Sequence, residues 1–271
     1  VATRDELSAL QRCVESLLEK TAFAHYEILI VDNASSAVDA RNWLSALEQM
    51  GSDKLRVLRC DYGDNLAALH NFAASQARGD YLLFLSAYTA VVSPEWLDEL
   101  LNHARRPEVG VVGGRLVSPQ GRIEGAAQVL GLRGTTGVPN RGELFNTPGY
   151  MQRQQTVQNF SAVGIDCLLV RKNVFDELHG LDDRDLPQAL NGADFCLRVR
   201  QSGYLVVWTP YAELMRIAPS SAVDLAPKLI QAEQKSFYQR WMPVVARDPA
   251  YNPNLSLGTS NFSLEPGFKA G

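Results

Sequence analysis

The chain has 271 residues and a formal net charge of −4 at pH 7, and 46% of its residues are hydrophobic against 21% charged. This balance predicts a globular protein with a sizeable core, either one α/β domain or a domain with a C-terminal extension. The mild acidity gives no support for a nucleic-acid partner. No apolar run approaches the roughly 18 residues of a membrane span, and no signal peptide is present.

The four cysteines show neither a CxxC pair nor another spacing typical of a metal site. They are Cys13, Cys60, Cys167 and Cys196, and each lies in apolar surroundings. We expect them to be reduced thiols of the core, which favours a cytoplasmic location, membrane-peripheral only through partners.

Only five residues precede the first predicted helix, which covers residues 6–20. They are too few to form a strand. We therefore expect the first strand of the sheet to be missing or to lie upstream of Val1.

Helices and strands then alternate. Apolar residues at helical spacing predict helices over residues 6–20, 40–50 and 66–77. Short apolar runs predict buried strands over residues 26–31, 55–60 and 81–85. This alternation is typical of a largely parallel sheet with helices on both faces.

The strand at residues 81–85 stops abruptly at Ser86-Ala87-Tyr88-Thr89. A helix over residues 96–104 follows, with Ser93 as the expected N-cap and Pro94 at the first helical position. Ligands of open α/β sheets bind just beyond the carboxyl ends of the strands, so this segment is the first candidate for chemistry.

The strand at residues 26–31 ends in a second candidate, Asp32-Asn33-Ala34-Ser35-Ser36. A strand that ends in Asp-Asn and small residues makes a suitable ligand edge. A turn capped by the Asp32 side chain explains the same pattern equally well, and the spacing does not separate the two.

Further elements complete the domain. Strands are predicted over residues 109–116, 163–170 and 204–208, and helices over residues 172–178, 195–202 and 228–241. A loop-rich insertion covers residues 123–158. We expect one domain over residues 1–220, followed by a C-terminal helix and a surface-wrapping tail over residues 221–271.

Taken together, several segments resemble family 2 glycosyltransferases of the GT-A fold, especially those that build bacterial surface polysaccharides such as O-antigen. The segments are CVESLLEKT, YEILIVDNAS, NLAALHN, GDYLLFL, SPEWLDELL, GVVGGRLVSPQGRIEGA, ADFCLRVRQSGYLVVWTPYAEL and RWMPVVARDPAYNPNLSL. Each is weakly specific alone, but their order covers almost the whole chain.

The resemblance implies a nucleotide-sugar donor at the carboxyl edge of the sheet. By position, Thr3 would lie near the nucleotide, Asp32 would meet the base and Asn65 would flank it. Active members carry an Asp-x-Asp-like motif after the central strand, and its carboxylates hold Mg²⁺ or Mn²⁺ against the donor diphosphate. A later carboxylate acts as general base on the acceptor hydroxyl, and a His often completes the metal site.

The chain departs from that pattern at all three places. The metal motif reads Ser86-Ala87-Tyr88, the base position is Gly192, and the stretch after Leu214 holds Arg216 but no His. We therefore predict no metal ligands, although the family leads one to expect Mg²⁺ or Mn²⁺. Ser86, Tyr88 and Arg216 join the expected donor contacts, because a guanidinium can neutralise a diphosphate.

Asp194 is the carboxylate that remains near the base position. It is the candidate catalytic residue, although capping of the helix expected to begin at Phe195, or packing, explains it more simply.

Two functions remain open. The first is a glycosyltransferase with an unusual, metal-independent site that transfers a sugar from a nucleotide-sugar donor to a glycan acceptor. The second is an inactive glycosyltransferase-like module that binds or scaffolds within a larger polysaccharide-synthesis protein, with an upstream module or a partner chain. A nucleotide-binding or scaffold protein unrelated to sugars is disfavoured by the run of motifs.

Overall fold

The computed structural model describes residues 1–217 and 227–265. The α-helices in these ranges are α1 (Leu7–Lys20), α2 (Val38–Gln49), α3 (Leu66–Gln76), α4 (Trp96–Ala104), α5 (Lys172–Glu177), α6 (Asn191–Gln201) and α7 (Pro227–Ala246). The strands are β1 (Ala2–Thr3), β2 (Ile28–Asn33), β3 (Leu55–Cys60), β4 (Tyr81–Leu85), β5 (Thr89–Val91), β6 (Val109–Val117), β7 (Ile123–Gly125), β8 (Ala127–Leu130), β9 (Thr136–Gly137), β10 (Gln158–Asn159), β11 (Ala162–Val163), β12 (Cys167–Arg171) and β13 (Leu205–Arg216).

A mixed sheet runs through the molecule. β1, β2 and β3 are parallel neighbours, and a parallel bridge between Ala2 and Ser86 joins β1 to the end of β4. From β4 the sheet continues through β12, β6 and β13 to the edge strand β10. β12 is antiparallel to both of its neighbours, whereas β13 is parallel to β6. The predicted fold class, an α/β domain with a mostly parallel central sheet and flanking helices, is confirmed.

Burial explains why the central strands are nearly continuous apolar runs. All nine residues of β6 are buried, and so are four of the five in β12. The absence of a side chain at Gly113 is required here, because a Cβ at that position would lie 2.7 Å from the side chain of Val163. The middle of the sheet is therefore tightly packed.

The residues before α1 do form a strand, so the expectation that they are too few was wrong. Ala2 and Thr3 pair with Val31 and Asp32 of β2. The amino group of Val1 donates to the carbonyl of Leu29 at 2.8 Å and extends the same ladder. Two residues suffice because β2 is already fixed by its pairing with β3.

The predicted cap of α4 was also wrong. The helix begins at Trp96 with Glu95 in the N-cap position, so Ser93 and Pro94 lie outside it. The Ser93 hydroxyl donates to the Glu95 carboxylate at 3.2 Å instead of accepting from a helical N–H.

Helix α6 begins at Asn191, four residues before the predicted start, because a residue of another helix, α7, stabilises its N-terminus. Its N-cap residue, Leu190, has no capping side-chain bond. The Glu233 carboxylate of α7 takes that role, because it accepts from the backbone N–H groups of Gln188, Ala189 and Leu190 at 2.5, 2.8 and 3.0 Å. Such a tertiary cap is invisible to local sequence patterns.

Two strand predictions need correction. β13 does not end at Thr209-Pro210 but continues to Arg216, because its register against β6 shifts between Trp208 and Glu213 and Pro210 falls in the irregular part. The strand predicted over residues 163–170 is interrupted by a turn at residues 164–166, which separates β11 from β12. Ile165 of this turn lies against Gly192.

The C-terminal part packs against the domain. α7 contains Pro243 and buries Phe237 and Trp241. Beyond it, the Asp248 carboxylate accepts from the backbone N–H of Leu130 at 2.7 Å and from the hydroxyl of Ser161. The predicted boundary at residues 220 and 221 and the last six residues of the predicted tail lie outside the described residues.

We expect Glu233→Ala to lower the free energy of unfolding by about 1–3 kcal/mol, because three backbone N–H groups, of which that of Leu190 is buried, lose a charged acceptor. Urea titration followed by circular dichroism measures the change. Gln239→Ala, at an exposed position of the same helix, should leave stability within about 0.5 kcal/mol of the parent. Equal stability of the two variants would contradict the capping role.

Candidate functional site

The candidate site lies where the carboxyl ends of β1 and β4 meet. The strand order β3-β2-β1-β4 reverses its sequence direction between these two strands, which makes this edge a topological switch point. β13 reaches the same edge because Arg216 pairs with Thr89 of β5, and the Ile217 N–H donates to the Tyr88 carbonyl at 2.7 Å. Of the predicted residues, Thr3, Asp32, Ser86, Tyr88 and Arg216 are thus brought to one edge of the sheet.

Ser86 and Tyr88 form a compact turn after β4. The Ser86 hydroxyl accepts from the Tyr88 N–H at 3.2 Å, and the Ser86 carbonyl accepts from the Thr89 hydroxyl at 2.6 Å. Burial raises the pKa of the Tyr88 phenol, the nearby charge of Glu6 raises it further, and Arg216 opposes them. The phenol is therefore protonated at neutral pH and is a poor ligand for a hard cation.

Arg216 forms an ion pair that the sequence analysis missed. Its guanidinium donates to the Asp166 carboxylate at 2.8 Å, and the two side chains are 27% and 33% exposed. Asp166 lies here because β12 is antiparallel to β4, which sets the start of β12 beside the end of β4 through the pairing of Cys167 with Leu85. The sequence does show a carboxylate, Asp166, directly before an apolar strand. Its place at this edge of the sheet, however, depends on the antiparallel direction of that strand.

Asp32 is engaged by its own surroundings. Its side chain is 4% exposed. One carboxylate oxygen accepts from the Ser35 N–H at 3.1 Å, which is the turn contact that one of the two interpretations anticipated. The other oxygen pairs with the Arg59 guanidinium at 2.8 Å. Arg59 also pairs with Glu48, so the Asp32 carboxylate is held rigidly at the edge of the sheet.

Thr3 and Asn65 also have structural partners. The Thr3 hydroxyl donates to Glu6 at 3.3 Å. The Asn65 oxygen caps α3 by accepting from the Ala68 N–H at 2.9 Å, and its amide donates to the Asp183 carbonyl at 2.8 Å. Asn65 therefore joins α3 to the loop before α6, outside the hydrogen-bonded group around Arg216.

Asp194 does not cap α6, because it lies inside the first turn, but its contacts agree with the expectation that it serves packing. Its carboxylate is fully buried. It accepts from Arg198 at 2.8 Å, from Arg240 at 2.6 Å and from the Trp241 indole N–H at 2.9 Å. Oδ1 joins α6 to α7 through Arg240 and Trp241, whereas Oδ2 pairs with Arg198 within α6. No part of the carboxylate is open to an acceptor hydroxyl.

The base position itself is closed. A Cβ at Gly192 would lie 3.2 Å from the Ile165 Cβ and 3.3 Å from the Ile165 nitrogen. Ile165 belongs to the turn at residues 164–166 that interrupts the predicted strand. A carboxylate side chain at Gly192 would therefore require this turn to shift.

The donor set at the edge does not fit a divalent cation. Within residues 1–217 and 227–265, no group of three or more His, Cys, Asp or Glu side chains could hold a metal ion. The Ser86-to-Tyr88 segment offers a hydroxyl and a protonated phenol, and the Asp166 carboxylate is paired with Arg216. The histidines are dispersed, and burial lowers the pKa of His70 to about 3.

The fold and the switch-point site define the class, a glycosyltransferase domain of the GT-A type. The chain belongs to glycosyl transferase family 2, whose model matches residues 1–178. All four cysteines are unpaired, and Cys13, Cys167 and Cys196 are buried as expected. Cys60 is only half-buried, so the prediction that it belongs to the core was wrong. No helix in the described part of the chain is both long and apolar enough to cross a bilayer.

Two curated relatives align along 97% of the chain. An uncharacterized protein y4gI of Sinorhizobium fredii is 39% identical over 272 residues, and the O-antigen biosynthesis protein RfbC of Myxococcus xanthus is 33% identical over 269 residues. The chain spans 29% and 20% of the lengths of these two proteins.

Solved structures share the fold at low identity. A mannosyltransferase of Pyrobaculum calidifontis, solved with GDP-Man and Mn²⁺, aligns with a TM-score of 0.61 and 13% identity over 81% of this chain and 56% of its own. GalNAc-T7, solved with UDP, GalNAc and Mn²⁺, aligns with a TM-score of 0.69 and 17% identity over 93% and 51%.

We expect Gly192→Ala to destabilise the domain by about 1 kcal/mol, because the new methyl group would lie 3.2 Å from the Ile165 Cβ and Ile165 must yield slightly. Adding Ile165→Ala to this variant should recover a large part of the lost stability, although the Ile165→Ala substitution alone also removes packing contacts. Thermal unfolding of both single variants and of the double variant measures the coupling. Strictly additive effects would mean that the two positions do not compete for space.

Proposed function

We propose that this domain binds a nucleotide-sugar donor at the carboxyl edge between β1 and β4, and that it transfers the sugar to a glycan acceptor without a divalent metal ion. The observation that carries the proposal is the position of Arg216, directly beside the Ser86-to-Tyr88 turn that replaces the Asp-x-Asp motif. Family membership and the relative named for O-antigen biosynthesis support a role in polysaccharide synthesis.

The electrostatics of sugar transfer explain why Arg216 matters. The leaving nucleoside diphosphate gains negative charge as its bond to the sugar breaks, and a preorganised cation at that point lowers the barrier. A guanidinium presents several N–H donors in a planar fork and pairs well with phosphate oxygens. Arg216 is only partly exposed, so its charge is screened less than that of a fully solvated side chain.

The nucleotide would occupy the other half of the edge. In this proposal Thr3, Asp32 and Asn65 contact the nucleoside, whereas Ser86 and Tyr88 contact the diphosphate. The Asp32 carboxylate would reach the base through lone pairs that remain beside Ser35 and Arg59, since each carboxylate oxygen accepts more than one hydrogen bond.

A second candidate is an inactive binding or scaffolding module. Two observations favour it: Ile165 closes the base position at Gly192, and Asp194 is buried among three donors. Because the chain spans less than a third of either curated relative, an active module elsewhere in a longer protein would be its natural partner. In either case the free thiols support a reducing, cytoplasmic setting, peripheral to the membrane where partners hold it there.

Calorimetric titration tests the proposal. UDP, GDP, dTDP and their common sugars are titrated once with Mn²⁺ and once with EDTA. We expect one nucleotide-sugar to bind with affinities that agree within about twofold in the two buffers. Tenfold tighter binding with Mn²⁺, equivalent to about 1.4 kcal/mol, would contradict a metal-independent site. No binding of any donor would favour the inactive module.

Arg216→Gln should weaken binding of the nucleoside diphosphate at least about tenfold, because it removes a charge-assisted contact. Binding of the matching nucleoside should change little. Arg106→Gln, at an exposed arginine near Glu108, is the matched control and should bind as the parent does. Equal loss of nucleoside and diphosphate binding would point to a structural role for Arg216.

A further inference from the structure

We propose that Asp166 is the proton acceptor of the transfer reaction and replaces the carboxylate that resemblance to the family places at Gly192. This inference rests on the proposed function. It begins from four carboxylates that contact the candidate site residues or lie near the base position, which are Glu6, Asp32, Asp166 and Asp194. Three of the four are already committed to other contacts.

Glu6 accepts from the Arg4 backbone N–H at 2.6 Å and from the Thr3 hydroxyl at 3.3 Å, both with the same carboxylate oxygen. These contacts tie it to the start of α1. Asp32 uses both of its oxygens, and Asp194 has no exposed surface.

Asp166 differs from Asp32 and Asp194 in both respects, and it differs from Glu6 because it is paired with Arg216. A third of its side chain is exposed, and only Oδ2 is engaged, by Arg216. Its Oδ1 makes no hydrogen bond to any residue in the two described ranges, so this oxygen is available to a substrate hydroxyl. The backbone holds the residue firmly, because the Ser86 N–H donates to the Asp166 carbonyl at 3.1 Å.

The turn at residues 164–166 connects the closed base position with this carboxylate. Ile165 fills the space beside Gly192, and the next residue carries the carboxylate to the opposite side of the turn, toward Ser86 and Arg216. The Gly164 N–H donates to the Ala126 carbonyl at 2.6 Å, which anchors the start of the turn to the segment before β8. The turn at residues 164–166 thus leaves little room for a carboxylate at Gly192 and places the carboxylate of Asp166 beside Arg216.

In the proposed step, Asp166 takes the proton of the acceptor hydroxyl and Arg216 lies beside the leaving diphosphate. The acceptor hydroxyl gives its proton to Oδ1 of Asp166 as its oxygen bonds to the anomeric carbon. The bond between that carbon and the diphosphate oxygen breaks, and its electron pair leaves with the nucleoside diphosphate beside Arg216. The guanidinium contact at Oδ2 fixes the orientation of the carboxylate, so that the other oxygen faces the substrate.

The test uses water as the acceptor, because hydrolysis of the donor needs no knowledge of the glycan. The nucleotide-sugar identified by calorimetry is incubated with the chain, and nucleoside diphosphate release is measured. We expect Asp166→Asn to bind that donor within about threefold of the parent and to lose at least about 100-fold in kcat, the usual contribution of a general base. Asp176→Asn, at an exposed carboxylate of α5, is the matched control and should retain the parent's rate.

Chemical rescue distinguishes a role of Asp166 in the reaction from a purely structural role. Sodium formate should restore part of the turnover of Asp166→Ala, because a small carboxylate can take the place of the missing one, whereas it should not accelerate the parent. Melting temperatures of both variants show whether the fold survives.

Three results would overturn the assignment: Asp166→Asn turning over at the parent's rate, a parent chain that binds the donor without hydrolysing it, or a folded Asp166→Ala that formate does not rescue. Absence of donor binding in the parent would instead refute the proposed function itself.

Discussion

The candidate site depends on one antiparallel strand. β12 lies between β4 and β6 and runs against both, so its first residue meets the last residues of β4. In a wholly parallel sheet the start of β12 would lie at the opposite edge, and Asp166 would be far from Ser86. The carboxylate, its ion pair with Arg216 and the closure of Gly192 by Ile165 all follow from the direction of this strand.

A second constraint acts from the C-terminal helix. α7 supplies the Glu233 carboxylate to the N-terminus of α6, and it supplies Arg240 and Trp241 to the buried Asp194. A buried carboxylate left without these donors would strongly destabilise the fold. The polar residues of this region therefore serve packing, because they join α6 to α7.

Much of the fold could be predicted from the sequence because its signals are local. β3 and β4 have the bounds that their apolar patterns predict, and α4 ends at the predicted residue although its predicted cap was wrong. The start of α6 could not be predicted, since its cap comes from Glu233, more than forty residues away. The site was partly predictable: Ser86, Tyr88 and Arg216 follow from the ends of strands, whereas Asp166 precedes a strand whose antiparallel direction no local pattern reveals.

Exchanging a metal for an arginine changes what a donor site requires. A divalent cation attracts the diphosphate but needs several carboxylates, which repel it when the cation is absent. Arg216 needs a single partner to hold it in place, and Asp166 provides one at 2.8 Å. Such a pair is nearly neutral before the donor binds, so the turn after β4 no longer needs carboxylates and can hold the uncharged Ser86 and Tyr88. In the proposed donor site, the uncharged turn after β4 and the pairing of Asp166 with Arg216 would be two parts of one electrostatic arrangement.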